Sequence, residues 1–259
     1  MMERKSIVLL VMGLVFLVGI AVLSWREAML PQSTIMLLGD SLTKGCCQVP
    51  PACDIGYRHT LYHKLKQADY LVNFVGSLTH PQDDCALPDI LFDFDREHEG
   101  YYDKTADWIR DRVEGFLQTN PAQIVLLHIG TNDLRSGQDP SEIVTEVSQI
   151  LDEIDQYSRD VTVVLARIIN KVPTSSLYNH YNALLAAMAQ TRLAEGDKLI
   201  VVDMENGTGI NYHLDDDGGD FVDAFHLSKT GYAKMADAWY DHLGKLLDSQ
   251  SLQNQPLHN

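Results

Sequence analysis

The stretch Thr34 to Lys44, TIMLLGDSLTK, decides the fold. Its apolar run, Ile35 to Leu38, passes without polar alternation into Gly39-Asp40-Ser41, the pattern of a strand buried on both faces that ends in a turn carrying a hydroxyl. The same kind of β-rich run recurs at Leu71 to Val75, Ile124 to Ile129, Val161 to Ala166 and Leu199 to Asp203. Between the runs, Gly56 to Gln67, Thr105 to Leu117, Ser141 to Tyr157, Leu177 to Arg192 and Ser228 to Leu247 carry apolar residues at three- and four-residue spacing, which predicts helices. Strands alternating with helices build a parallel sheet, so the class is α/β with five strands. In an open parallel sheet ligands bind beyond the carboxyl ends of the strands. Gly39-Asp40-Ser41 and Gly130-Thr131-Asn132-Asp133 both follow such ends.

Composition narrows the choices further. In 259 residues, 45% are hydrophobic and 22% charged, and the formal net charge is −16. That apolar content supports a large core and excludes disordered, collagen-like and coiled-coil chains. The acidic balance offers no basic footprint for phosphates, which argues against nucleic acid and against an anionic lipid surface. A neutral or cationic substrate is expected.

Ser6 to Trp25 is free of charge and includes the run IVLLVMGLVFLVGIAVL, long enough at about 1.5 Å per residue to span roughly 30 Å. Arg4 and Lys5 precede it, so the positive-inside bias keeps the N-terminus cytoplasmic and exports the rest. The apolar stretch is longer than a signal peptide needs, and Ala21-Val22-Leu23 offers no A-x-A cleavage pattern. Residues 1–32 are therefore read as an uncleaved membrane anchor, the chain being secreted if the segment is cut. Residues 33–248 form one domain, and residues 249–259 a frayed tail. Cys46, Cys47, Cys53 and Cys85 would then sit in an oxidising compartment, where two disulfides are expected. A bridge between neighbours Cys46 and Cys47 is strained, which pairs one of them with Cys53 and the other with Cys85. Zinc is the competing reading, and no CxxC spacing supports it.

Ser41 stands where a hydroxyl can face a substrate carbonyl. A serine is a weak nucleophile until a base lies within hydrogen-bond reach and an acid fixes the tautomer of that base. Asp223-Ala224-Phe225-His226 supplies both on one turn before the last helix. The oxyanion formed in such an attack needs fixed donors. The Asn132 side-chain amide and the backbone N–H groups of Ser41 and Gly76 are the candidates.

Taken together, GDSL (39–42), VGS (75–77), GTND (130–133) and DAFH (223–226) resemble the SGNH, or GDSL-type, hydrolase superfamily in order and spacing. The resemblance spans Thr34 to Leu247. It implies a flavodoxin-like three-layer α/β/α sandwich with a five-stranded parallel sheet. It also implies a Ser41, His226 and Asp223 triad, an oxyanion hole at Ser41, Gly76 and Asn132, and no metal or organic cofactor. The segments GDSLTKGCC, YRHTLYHKLKQADYLVNFVGS, HEGYYDKTADWI, IVLLHIGTNDL and HLSKTGYAKMADAWY look like the branch holding the carbohydrate esterase family 3 acetyl xylan esterases. That implies hydrolysis of short acyl esters, acetyl foremost, on a polysaccharide. Tyr102-Asp103-Lys104 stands where the branch has Gly-Trp, and Leu227 where it has proline, so the substrate rim is expected to differ.

His98, Glu99 and Tyr101 are candidates for that rim, with an exposed loop pair as the alternative for the first two. Asp215, Asp216, Asp217 and Asp220 suggest calcium but lack EF-hand spacing and read as a solvated loop. His128 reads as a core histidine satisfied by hydrogen bonds. Asp40 and Asp133 read as turn-setting groups that do not titrate. Trp108, Tyr101 and Tyr102 either stack on a sugar or join the core. Two rivals to the short-acyl esterase remain: a lysophospholipase or thioesterase of the same superfamily, and a non-catalytic envelope module that binds glycans. The oligomeric state is not legible.

Overall fold

A computed structural model describes residues 32–45, 55–79, 93–170 and 175–253. The Met1 to Leu30 segment, the four cysteines and the last six residues lie outside the described residues. Among the described residues no helix is long and apolar enough to cross a membrane.

Strand β1 (Ser33–Gly39) lies at the centre of a mostly parallel sheet. On one side it pairs in parallel with β5 (Ile124–His128), from Ile35 against Ile124 to Gly39 against His128. β6 (Thr162–Arg167) and β7 (Leu199–Asp203) continue the parallel order. The other edge of β1 is shared by two strands. β2 (Val72–Val75) pairs with its first half, Ser33 to Met36, while β4 (Glu97–Gly100) pairs with Leu38 and Gly39. A two-residue strand, β3 (Leu78–Thr79), runs antiparallel to β4. All five expected strands form. The His98-Glu99 pair, expected to line a rim or an exposed loop, is instead part of β4.

Side chains alternate across each strand, so a wholly apolar strand feeds two cores. Met36, Leu38, Val125, Leu127, Val163 and Leu165 face one core, closed by α3 (Ala106–Arg110), α4 (Val113–Thr119), α6 (Pro140–Tyr157) and α7 (Ser176–Glu195). Ile35, Leu37, Ile124, Leu126, Val164 and Val202 face the other, under Leu61 and Leu65 of α2 (Arg58–Gln67) and Met235, Trp239 and Leu243 of α8 (Lys229–Gln253). Two short helices, α1 (Ser41–Lys44) and α5 (Thr131–Ser136), start at the carboxyl ends of β1 and β5.

Two helices depart most from expectation. The helix expected over Thr105 to Leu117 is broken at Arg112, where φ is −133°. There the Arg112 N–H turns to the Ile109 carbonyl at 2.9 Å and its guanidinium donates to the Trp108 carbonyl at 3.0 Å. Ile109, Val113 and Leu117 keep their four-residue spacing and stay buried through the break, which is why the periodicity concealed it. At the C-terminus α8 continues to Gln253, through the first part of the stretch expected to fray.

Candidate active site

Ser41 is the first residue of α1, where helical N–H groups have no acceptor inside the helix. Asp40 caps this end, its Oδ1 accepting from the Leu42 N–H at 2.9 Å. Arg58 secures the other end. Its side chain is fully buried and donates to the carbonyls of Thr43 at 3.2 Å, Lys44 at 3.0 Å and Arg96 at 3.1 Å. The sequence reading missed this clamp. Its signal was a cation on the apolar stripe of α2, in register with Leu61 and Leu65.

His226 arrives 185 residues later, on a connection held by its own hydrogen bonds. Asp220 is buried and accepts from Lys234, from Thr230 at 2.7 Å and from the Asn211 N–H at 2.7 Å. The Val222 N–H donates to the His226 carbonyl at 2.9 Å. Asp223 Oδ1 accepts the N–H groups of Phe225 and His226 at 2.7 and 2.8 Å, while Oδ2 lies 2.8 Å from His226 Nδ1. Nε2 lies 3.0 Å from Ser41 Oγ. With a carboxylate on Nδ1, the tautomer is set: Nδ1 carries the hydrogen and Nε2 presents a lone pair to the serine. Burial acts to raise the Asp223 carboxyl, but the three hydrogen bonds from His226 and Phe225 outweigh it and hold the group below the ordinary carboxylate range. The carboxylate thus stays ionised beside the ring.

Asn132 is the second residue of α5. Its Nδ2 donates to the Lys104 carbonyl at 3.0 Å, a bond that uses one amide hydrogen and orients the other. The turn before it needs glycine: Gly130 has φ 119°, and a Cβ there would come within 2.7 Å of the Tyr181 ring. Tyr181 OH fixes the same turn by donating to the Ile129 carbonyl at 2.9 Å. Gly76 meets a tighter limit, since a Cβ would lie 2.3 Å from the His98 carbonyl carbon. Only a bare backbone passes β4 at that point.

The pairing of Gly39 with His128 sets α1 beside α5 at one end of the sheet. A hydroxyl on an imidazole on a carboxylate, at the strand ends of an α/β sheet, is the constellation that acyl transfer requires. The sequence profile of the GDSL-like Lipase/Acylhydrolase family matches residues 37–234. The chain belongs to this family. It is an ester hydrolase.

The hydrolase is 27% identical to a Clostridium thermocellum family 3 carbohydrate esterase, with 85% of this chain and 99% of that one covered and a TM-score of 0.69. A carbohydrate esterase family 3 structure from Talaromyces cellulolyticus shares the fold at 24% identity, covering 84% of this chain and 99% of that one at a TM-score of 0.69. A curated Acetivibrio thermocellus protein named "Putative endoglucanase X" is 27% identical over 153 residues. These residues are 57% of this chain and span 62% of that protein's length.

Several expectations for the hydrolase need correction. His98 and Glu99 are fully buried and line no open rim. His98 Nδ1 accepts from the Gly100 N–H at 2.9 Å. Glu99 Oε1 accepts from Ser77 through both N–H (2.7 Å) and hydroxyl (2.8 Å), and Oε2 accepts from Tyr101 OH at 2.6 Å. Tyr101 is itself packed, 4.8 Å from the Trp108 ring and stacked on Phe116 at 5.5 Å. Of the aromatic trio Tyr102 is the exposed member, with Lys44 Nζ 4.0 Å from its ring centre. His128 is buried as expected, but neither ring nitrogen has a hydrogen bond, and burial pushes its pKa down to about 4. Asp40 does cap its own turn, whereas Asp133 accepts from the Ala106 N–H at the start of α3, and burial pushes their carboxyls up to about 7 and about 6, so both titrate near neutrality. Asp215–Asp217 form an exposed 3₁₀ turn.

Proposed function

We propose that this chain is a serine esterase that removes short acyl groups, acetyl foremost, from a polysaccharide. The observation that carries the reading is the continuous path from Ser41 Oγ to His226 Nε2 at 3.0 Å and from Nδ1 to Asp223 Oδ2 at 2.8 Å. His226 takes the hydroxyl proton as Ser41 Oγ attacks the acyl carbon, and Asp223 stabilises the imidazolium that forms. The oxyanion is met by the Asn132 amide and the N–H groups of Ser41 and Gly76. His226 then gives its proton to the leaving sugar oxygen, and the ester between Ser41 and the acyl group remains. Water enters, loses a proton to His226 and attacks the acyl carbon. The carboxylic acid leaves and Ser41 recovers its hydrogen.

The likeness to the Clostridium thermocellum carbohydrate esterase supports a glycan as the substrate. The apolar segment from Ser6 to Trp25 supports a catalytic domain held outside the cytoplasm by one N-terminal helix. A series of nitrophenyl esters of increasing chain length, run beside acetylated xylan, tests the reading. Highest kcat/KM is expected for the two-carbon ester, together with acetate release from the glycan. A maximum at long acyl chains would replace it with the lysophospholipase reading, and binding of acetylated xylan without any hydrolysis would replace it with a glycan-binding module.

A further inference from the structure

Asp107, Asp133 and Glu146 come from three different helices, α3, α5 and α6, and bring one carboxylate oxygen each within 4.8 Å of one another. Hydrogen bonds account for only part of this group. Asp133 is fully buried, and its Oδ1 accepts the Ala106 N–H at 2.8 Å, but its Oδ2 accepts nothing. Glu146 Oε1 accepts from Gln138 at 2.8 Å, while its buried Oε2 likewise accepts nothing. Asp107 reaches solvent and accepts from Thr105 and from the Trp108 N–H at 2.7 Å. The neighbouring cation, Arg110, acts on Asp107 and Glu146 through space, but its N–H groups bond to Asp111 and Gln149.

Two carboxyl groups that each keep a buried oxygen without a donor, clustered with a third carboxylate, leave a demand for positive charge that the side chains do not meet. The donors are all hard oxygens, which select a hard divalent cation. Calcium binds oxygen at about 2.3–2.6 Å, so two ligands on opposite sides of it lie about 4.6–5.2 Å apart, whereas magnesium brings them to about 4.2 Å or less. Oxygens within 4.8 Å of one another can share one ion, and the longer bonds of calcium span such gaps more readily than the short ones of magnesium. Asp107 opens the group to solvent, from which water completes the coordination.

We propose that Asp107, Asp133 and Glu146 bind a calcium ion that ties α3 and α6 to α5. The ion takes no part in ester hydrolysis. Its place matters because Asn132 precedes Asp133, and the Lys104 carbonyl that orients Asn132 lies just ahead of α3. Both ends of that hydrogen bond are thereby anchored to the same ion.

The test uses the full chain in detergent, stripped with a chelator and then titrated with calcium or magnesium. Calorimetry is expected to give one calcium equivalent, binding at least about tenfold more tightly than magnesium, and millimolar calcium is expected to raise Tm by about 5 °C. Glu146→Gln should remove the tight equivalent and the Tm response while hydrolysing nitrophenyl acetate in chelator at the rate of the stripped wild type. Should Glu146→Gln fail to fold, Asp107→Asn at the exposed corner is expected to weaken calcium at least about tenfold. Calcium binding that is unchanged in these variants, as at the Asp215–Asp217 turn, would overturn the proposal. So would the absence of binding by wild type, which would mean that the carboxyls share a proton instead.

Discussion

The molecule holds two histidine–acid pairs of similar composition and opposite use. His98 and Glu99 lie side by side on β4, fully buried, and spend their lone pairs on Gly100, Ser77 and Tyr101. Asp223 and His226 lie on a turn, with 46% of the Asp223 side chain and 18% of the His226 side chain exposed, and the ring presents Nε2 to a serine hydroxyl. The difference teaches that residue type nominates a catalytic pair but does not make one. What distinguishes the second pair is a carboxylate that fixes the tautomer while the outer nitrogen stays accessible. In the first, the carboxylate is used up by neutral donors that hold the Gly76-Ser77 turn against β4.

Substitutions should separate the two pairs. The largest effect is expected on the reactive side: Ser41→Ala or His226→Ala should lower kcat for nitrophenyl acetate by about 10³-fold or more, with Tm nearly unchanged. Asp223→Asn should cost about 10²- to 10⁴-fold by allowing the wrong tautomer, again with the fold intact. On the buried side the signs reverse. Glu99→Ala strands the Ser77 and Tyr101 donors and should lower stability by about 2–4 kcal/mol in denaturant unfolding, while the folded fraction keeps hydrolysing. If Glu99→Ala instead abolished turnover without loss of stability, the two pairs would not differ in the way described.

A smaller effect is expected from Asp40, one residue before the nucleophile. Its folded pKa of about 7 lies above the reference 3.8. The proton is therefore held more firmly in the folded state, and the stability this confers is full below pH 3.8 and is lost as pH rises through about 7. Asp40→Asn retains an acceptor for Leu42 and removes that loss, so its Tm advantage over wild type should grow by a few degrees between pH 5 and pH 8, a window set by these values. The smallest effect is expected at His128. Its pKa of about 4 lies below the reference 6.5, so its contribution is full above 6.5 and is lost as pH falls through about 4. His128→Leu should flatten the acid limb of the Tm profile and leave the neutral region alone.

The sequence made the five long strands legible because each is apolar on both faces, a pattern that needs no partner to be read. It also made the serine, glycine, asparagine and aspartate–histidine blocks legible as candidates, because the first three follow strands and the last lies on a turn shortly before a helix. β4 was not legible: Glu97, His98 and Glu99 have no apolar signal, and the strand exists because Leu38 and Gly39 offer an edge that β2 leaves open. The burial of His98 and Glu99 follows from that pairing and from donors more than 20 residues away in sequence, such as Ser77, which no local pattern encodes. The same holds for Arg58. Its three carbonyl acceptors lie between 14 and 38 residues distant, and only its place on an apolar stripe marked it. Local signals nominated the candidate site, and long-range hydrogen bonds decided which polar residues are framework.

The central claim is that Ser41 alone is made nucleophilic, and only through His226. Intact-mass and peptide mass spectrometry after treatment with a fluorophosphonate tests it most directly. The account predicts a single covalent adduct, on Ser41, formed by wild type, lost in Ser41→Ala and at least about 10²-fold slower in His226→Ala. An adduct that forms on another residue at an undiminished rate in Ser41→Ala, or wild type that hydrolyses nitrophenyl acetate yet takes no label, would contradict it.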